Sequence, residues 1–472
     1  MDIGGAVEQV TSGEKTLILG PKGTGKSALG LYLEKCGRSD TSTYRCQMRS
    51  ARSLPIGEIP DLRTGQPKGA QRTYGAWKFI LLCNYLDVAL GDPNTHLSQM
   101  REVKRVIRTL REAGFMGGES GRKLQLISNM SYSIDRSSAG TLFKDEIGSR
   151  VDISTLTPYL ERWARSLRSS RRHILILDGL DSILLNDPQY DESIAGLSQA
   201  AYDINLDLRE SQATGSVVLL LRNDIFSRIS LILPDAHKMR DFAYDLDWRI
   251  LSGGVGESTP LIRLVNQKAA QGVGEHAVDV LSYFPETIEI GGHGRSSARR
   301  HPKRLKYLLN LTRHTPRDIL QLMEYVRLSD VASPTTGNPL LDQQVIREGV
   351  LQYSTKYFVD AIRGELAGYE GGVAETTAAL NALKSLDSPR FTRSDYRRTL
   401  TGTAPGLEDK ADDFLRLFFF AGALGNVFDN GSDRYMVFYH RRNDVDLNVQ
   451  GTLVLHNALS HAWSRPFGMR ES

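Results

Sequence analysis

Cysteine is scarce in this chain. Cys36, Cys46 and Cys83 are the only three among 472 residues, and their spacing pairs no two of them as metal ligands. Neither a disulfide scaffold nor a zinc site is indicated, and reduced, structural thiols are expected. Long apolar runs are missing too. The best stretches, SVVLLL and FLRLFFFAGALG, suit a buried strand and a buried helix, and no signal-like segment opens the sequence. No membrane partner is expected, and the reading is of a cytoplasmic protein. Nor is one sign of charge in excess: 59 basic against 55 acidic residues leave +4. At this length bulk charge does not mark a nucleic-acid binder, so that role must rest on local clusters. The ten histidines scatter without a compact metal constellation, and no solenoid-length repeat is present. What remains is an ordinary globular composition, 40% hydrophobic and 24% charged, with room for two or three cores.

Against that plain background ILGPKGTGKSALGLYLEK stands out. Thr16 to Leu19 read as a strand and Lys26 onward as a helix, with Gly20, Gly25, Lys26 and Ser27 in the fixed places of G-x-x-x-x-G-K-[ST]. In such a loop the backbone N–H groups of Gly20, Pro21, Lys22, Gly23, Thr24, Gly25, Lys26 and Ser27, proline excepted, turn around phosphate. Lys26 neutralises the outer phosphates, and the Ser27 hydroxyl ligates Mg²⁺. ATP and Mg²⁺ are therefore the expected cofactors. Little sequence precedes the strand, so the helix that usually flanks such a pocket must be very short or come from elsewhere.

The second half of the site is expected in RRHILILDGLD, where a buried strand ends on Asp178. An acid there holds the metal at the sheet edge, the plain alternative being an Asp-Gly turn. Gly179 follows, where an acid orienting the attacking water would be convenient. Asp181 is the nearest substitute and Glu192 a more distant one. A third strand, Val217 to Leu221, releases Arg222 and Asn223, either of which suits a sensor of the terminal phosphate. Arg222 can instead pair with Asp224 or Asp178. Arg240, before a last strand near Phe242 to Leu246, is placed to reach a neighbouring subunit's phosphate in a ring.

After Trp248 the texture is helical. TRHTPRDILQLMEYVRLS begins a helix with Pro316 at its first position and Ile319, Leu320, Met323 and Val326 on one face. Arg317 then stands where a lid can present it to phosphate, or pairs at a surface with Asp318. In the segment before Asp178, VKRVIRTLRE is basic and helical, and Leu156, Leu160, Trp163 and Leu167 mark a second helix. The Arg162, Arg165 and Arg168 face of that helix reads most simply as solvated. The chain closes with three helices and the hairpin NVFDNGSDRYMVFYHRR, the order of a winged helix. Its second helix is basic (Arg393, Arg397, Arg398), but its third opens with EDKADD, which repels phosphate. The boundaries so read are 1–252 for an α/β P-loop core with a helical insertion, 253–332 for a helical lid, 333–370 for a helical linker and 371–472 for a winged-helix-like domain.

GPKGTGKS, AWKFILL around Trp77, LILDGLD, LLLRNDIF, DLDWRI and TPRDILQLM together resemble a bacterial family of uncharacterised P-loop ATPases. Their cores are AAA+/STAND-like and related to origin-recognition-type AAA+ ATPases, and the resemblance spans most of residues 1–330. It implies ATP binding, Mg²⁺-dependent hydrolysis, and sensor roles for Arg222 and Arg317. Relatives of such ATPases serve in DNA transactions or antiviral defence, which is analogy at the level of fold. The missing acid after Asp178 and the clipped start depart from the pattern. Three readings stay open. One is an ATP-hydrolysing switch acting on protein or DNA, within a homo-oligomer or multiprotein complex. The second is a nucleotide-gated scaffold with little turnover, and the third a remodeller that binds double-stranded DNA through clusters such as Arg299, Arg300, Lys303 and Arg304.

Overall fold

The computed structural model describes residues 5–39, 42–51, 54, 71–112, 115–116, 131–132, 151–180, 190–248, 259–290, 300–332, 340–367, 369, 371–429, 434–441 and 445–465. The chain divides into two compact units, residues 2–246 and 247–472.

In the first unit five strands make one sheet: β1 (Leu17–Leu19), β2 (Tyr44–Ser50), β3 (Arg172–Asp178), β4 (Gly215–Leu221) and β5 (Ala243–Asp245). Their spatial order is β2-β3-β4-β1-β5, and every neighbouring pair is parallel. A parallel sheet covered by helices on both faces needs apolar residues on both. That is why Ile174 to Leu177 and Val217 to Leu221 run without alternation and are no more than 3% exposed. The register brings the carboxyl ends level: Leu19 lies beside Leu221 and Asp245, and Ser50 beside Asp178. Gly20, Asp178 and Arg222 therefore leave the sheet at the same edge.

The flanking helices are α1 (Ala6–Thr11), α2 (Lys26–Gly37), α3 (Gln71–Leu90), α4 (Met100–Glu112), α5 (Ile153–Ser166), α6 (Tyr190–Glu210), α7 (Asn223–Ile229) and α8 (Ala236–Asp241). The helix before β1 has only six residues. Helix α3 is apolar around its circumference and is buried accordingly, from Trp77 to Leu90. Its few polar groups fasten it to its neighbours. Trp77 Nε1 donates to Ser193 Oγ at 3.2 Å, the Tyr74 hydroxyl to Asp203 at 2.7 Å, and Lys78 pairs with Glu161 at 2.6 Å. Helix α5 buries Leu156, Leu160, Trp163 and Leu167, as their spacing predicts. Its arginines lie outside, Arg165 on Asp207 at 2.9 Å and Arg168 on the carbonyls of Arg165 and Leu167 that end the helix.

The second unit holds α9 (Pro260–Val273), α10 (Arg304–Asn310), α11 (Pro316–Ala332), α12 (Gln343–Gln352), a π-helical turn over Tyr353–Phe358 and α13 (Val359–Leu366). Then follow α14 (Gly372–Lys384), α15 (Arg393–Thr403), α16 (Ala411–Ala421) and α17 (Asn457–Ala462). Strands β6 (Arg390–Phe391), β7 (Leu424–Asp429), β8 (Arg434–Val437) and β9 (Thr452–Leu455) form an antiparallel sheet in the order β6-β9-β7-β8. On α11 the buried stripe is Ile319, Leu322 and Val326, while Leu320 and Met323 are half-buried. Helix α16 buries Phe414, Phe418 and Phe419 as expected of a core cluster, with Leu415 in place of the half-buried Leu417. These helices and the sheet share one interior. The Phe358 ring stacks on His456 at 4.5 Å, His456 Nε2 donates to the Thr312 carbonyl at 3.3 Å, and Arg441 reaches Asn310 at 2.8 Å.

Candidate functional site

The turn from β1 into α2 is built by glycine conformation. Gly23 and Gly25 have φ of 87° and 97°, and Gly25 caps α2 from the left-handed region. Side-chain-bearing residues rarely adopt that backbone, whereas glycine takes it without penalty. Gly20 is required for space: a Cβ there would stand 2.7 Å from Thr24 Oγ1 and 3.2 Å from the Leu246 carbonyl. Thr24 is buried and its hydroxyl donates back to the Pro21 carbonyl at 2.8 Å. Lys26 Nζ lies inside the loop, donating to the Gly20 carbonyl at 2.7 Å and the Pro21 carbonyl at 3.0 Å. The loop is thus folded around a cation at the amino end of a helix whose first N–H groups have no intrahelical acceptor, an arrangement suited to an anion. Ser27 is exposed on the first turn, and Pro21 and Lys22 are half-buried in the loop.

Asp178 is half-buried at the end of β3, and no basic side chain pairs with it among the described residues. Strand β4 separates it from β1, so two inter-strand steps, about 10 Å, lie between the loop and the carboxylate. Among the described residues no three His, Cys, Asp or Glu side chains converge on a metal. A hard oxygen-seeking cation such as Mg²⁺ needs no such cage, because it takes one or two protein ligands and fills its shell with phosphate oxygens and water. Ser27 and Asp178 fit that donor set. Asp181 lies outside the described residues, and Glu192 is half-buried near the start of α6.

Arg222 ends β4 at the same edge, and its guanidinium grips Asp224 through two hydrogen bonds of 2.9 Å. Burial by itself would raise the Asp224 carboxyl, but the Arg222 charge outweighs it and holds the group below its ordinary value. The pairing weighed for Arg222 from sequence is therefore made. Asn223 Oδ1, next along the chain, is buried without a hydrogen-bond partner among the described residues. Arg240 sits on α8 and pairs with Asp245 at 2.8 Å while half its surface stays exposed.

Arg317 belongs to the second unit and is exposed at the start of α11. The pairing weighed for it with Asp318 is not made. Asp318 turns inward, fully buried, and accepts from Arg313 Nε at 2.9 Å, Arg313 Nη2 at 3.0 Å and the Tyr357 hydroxyl at 2.8 Å. Burial opposes its charge, but Arg313 prevails and its carboxyl is held below the usual range.

Sequence reasoning missed two buried polar clusters. In the first unit His173 Nε2 lies 3.0 Å from Asp92 and 3.2 Å from Thr95. Burial pushes this imidazole down despite the carboxylate. It stands at the amino end of β3, away from the loop. In the second unit Arg313 pairs with Asp318 and Glu365, Tyr357 donates to Asp318, and the rings of His440 and His456 lie 5.2 Å apart. Each cluster is completed by partners distant in sequence, His173 in the first and Tyr357 and Glu365 in the second, so no local pattern announces it. No family model matches the chain, and comparison with curated proteins gives no match.

Proposed function

We propose that this chain is a Mg²⁺-dependent, ATP-binding and ATP-hydrolysing conformational switch of the AAA+/STAND kind, acting on a protein or DNA partner. One observation carries the reading: a glycine-shaped loop closed on Lys26 stands at the sheet edge where Asp178 also emerges, with one strand between them. Lys26 holds the outer phosphates, the loop N–H groups orient them, and Ser27 and Asp178 are the ligands for Mg²⁺, which when bound neutralises phosphate charge. Strand β4 lies between loop and carboxylate, so its end faces the position of the terminal phosphate. With Arg222 held on Asp224, Asn223 is the amide available there as sensor. Arg317, unclaimed by Asp318, is assigned as the sensor of the second unit, and Arg240 as the arginine offered to a neighbouring copy.

The test is phosphate release by purified protein with Mg²⁺, with and without double-stranded DNA, for wild type, Lys26→Ala and Asp178→Ala. The reading requires turnover that both substitutions abolish. Tight ATP binding with no phosphate under either condition would replace it by a nucleotide-gated scaffold. Gly179, at φ 75° directly after Asp178, favours that second reading, since no carboxylate stands where water would most simply be oriented. The helix-strand-helix-helix-sheet order of α14 to β9 supports a winged-helix reading of the last module. Its basic second helix is largely neutralised from within: Arg393 pairs with Asp412 and Arg397 with Asp409. Protein contact is therefore the better role for that module. Of the other basic cluster, Arg299 lies outside the described residues, Lys303 is exposed, and Arg304 is spent on the Phe284 carbonyl at 2.8 Å.

A further inference from the structure

Helix α4 lies in the segment between β2 and β3 and turns two unlike faces to its surroundings. Val103, Val106, Ile107 and Leu110 are at most 3% exposed and pack into the first unit's core. Arg111 pins the carboxyl end by pairing with Asp87, which also receives Arg49 at 3.0 Å. The opposite face carries Arg101, Lys104, Arg105 and Arg108, all exposed. At 100° per residue these four fall within about a third of the circumference and span about 10 Å of axis. Arg101, Lys104 and Arg108 enter no ion pair among the described residues.

We propose that this stripe docks on the phosphate backbone of a nucleic-acid duplex, without reading sequence. Its length of about 10 Å spans three 3.4 Å steps of duplex axis, the reach of about four phosphates along one strand. An amphipathic membrane helix needs a free apolar face, and the apolar face of α4 is already buried in the protein's own core. A protein partner needs apolar or aromatic anchors at the centre of its contact, and no large hydrophobic residue of α4 is exposed. Single strands are gripped by stacking on aromatic rings, which the stripe lacks. A rigid basic row without anchors fits regularly spaced phosphates.

The experiment is fluorescence anisotropy of labelled DNA and RNA duplexes of mixed sequence against wild type, titrated at several salt concentrations. Beside it stands the combined Arg101→Gln, Lys104→Gln, Arg105→Gln, Arg108→Gln variant. Each lost phosphate contact flattens the dependence of log Kd on log salt by about 0.9, so the variant should be flatter by about 3.6. Arg416→Gln, on the exposed side of α16, should leave the slope unchanged. ATP affinity, which this proposal does not touch, and helical content are measured on the same samples. Should the fourfold variant not fold, Arg101→Gln with Arg108→Gln should flatten the slope by about 1.8. An unchanged slope in a folded variant overturns the proposal. So does wild-type protein that binds no duplex, or that binds anionic phosphatidylserine vesicles in place of one.

Discussion

Gly25 holds φ at 97° with nothing within 4 Å of where a Cβ would stand, so its requirement is conformational. Gly25→Ala should cost about 1–2 kcal/mol of backbone strain and weaken ATP binding at least about tenfold, read by titration calorimetry, while the first unit stays folded. Lys26→Ala, which removes a charged donor, should weaken ATP binding about 10–100-fold in the same measurement. Asp318 presents a different case. Removing its charge by Asp318→Asn leaves Arg313 only Glu365, at 3.4 Å, as a charged partner in the interior and should destabilise the second unit by up to about 3–5 kcal/mol in urea denaturation. Buried histidines of the second unit set a pH dependence. Burial holds His456 neutral down to about 3 and His461 down to about 4. Their folded values lie below the unfolded value of about 6.5. Their contribution is therefore full above about pH 6.5 and is lost as pH falls through that value towards 4 and 3. The unfolding free energy from urea titrations should change little from about pH 7.5 to 6.5 and then fall by up to about 1.4 kcal/mol per pH unit for each such histidine down to about pH 5, and His456→Gln should make the decline shallower.

At the scale of elements, periodicity was informative where one face is buried and uninformative where all faces are. The α5 stripe of Leu156, Leu160, Trp163 and Leu167 could be read directly because Arg162 and Arg165 alternate with it. On α11 the pattern misplaced two positions: Leu322 is the inner residue between Ile319 and Val326, since Leu320 and Met323 flank the stripe as apolar neighbours. Helix α3, apolar throughout, offers no stripe to read, and its orientation is set by Trp77, Tyr74 and Lys78. Trp77→Ala should cost about 3–5 kcal/mol by emptying a fully buried site. Trp77→Phe should cost less, because it retains most of the volume and forfeits chiefly the bond to Ser193. The α15 and α16 pairs show the opposite blindness. Arginines on one helix and acids on the next read separately as a basic face and a repelling one, and only their meeting reveals mutual neutralisation.

For the whole molecule, two compact units predict two unfolding transitions. Saturating Mg²⁺-ATP stabilises whatever binds it, by about 2.7 kcal/mol at a hundredfold excess over Kd. Calorimetry should show that increment in the transition of the first unit, reduced to about 0.4–1.4 kcal/mol in the Lys26→Ala protein at the same ATP concentration. A wild-type trace unmoved by ATP would remove the nucleotide reading.

The strand-loop-helix run around Lys26, the acid-ended strand at Asp178 and the want of a disulfide among Cys36, Cys46 and Cys83 were legible in the sequence by itself. Each depends on neighbours within a few residues, where backbone preference and apolar period act directly. Which charges are available was decided only by the tertiary structure. Arg222 is held by Asp224, Asp318 turns from Arg317 to Arg313, and Arg101, Lys104 and Arg108 of α4 enter no ion pair among the described residues, because ion pairing is settled by distances between side chains that burial and packing bring together.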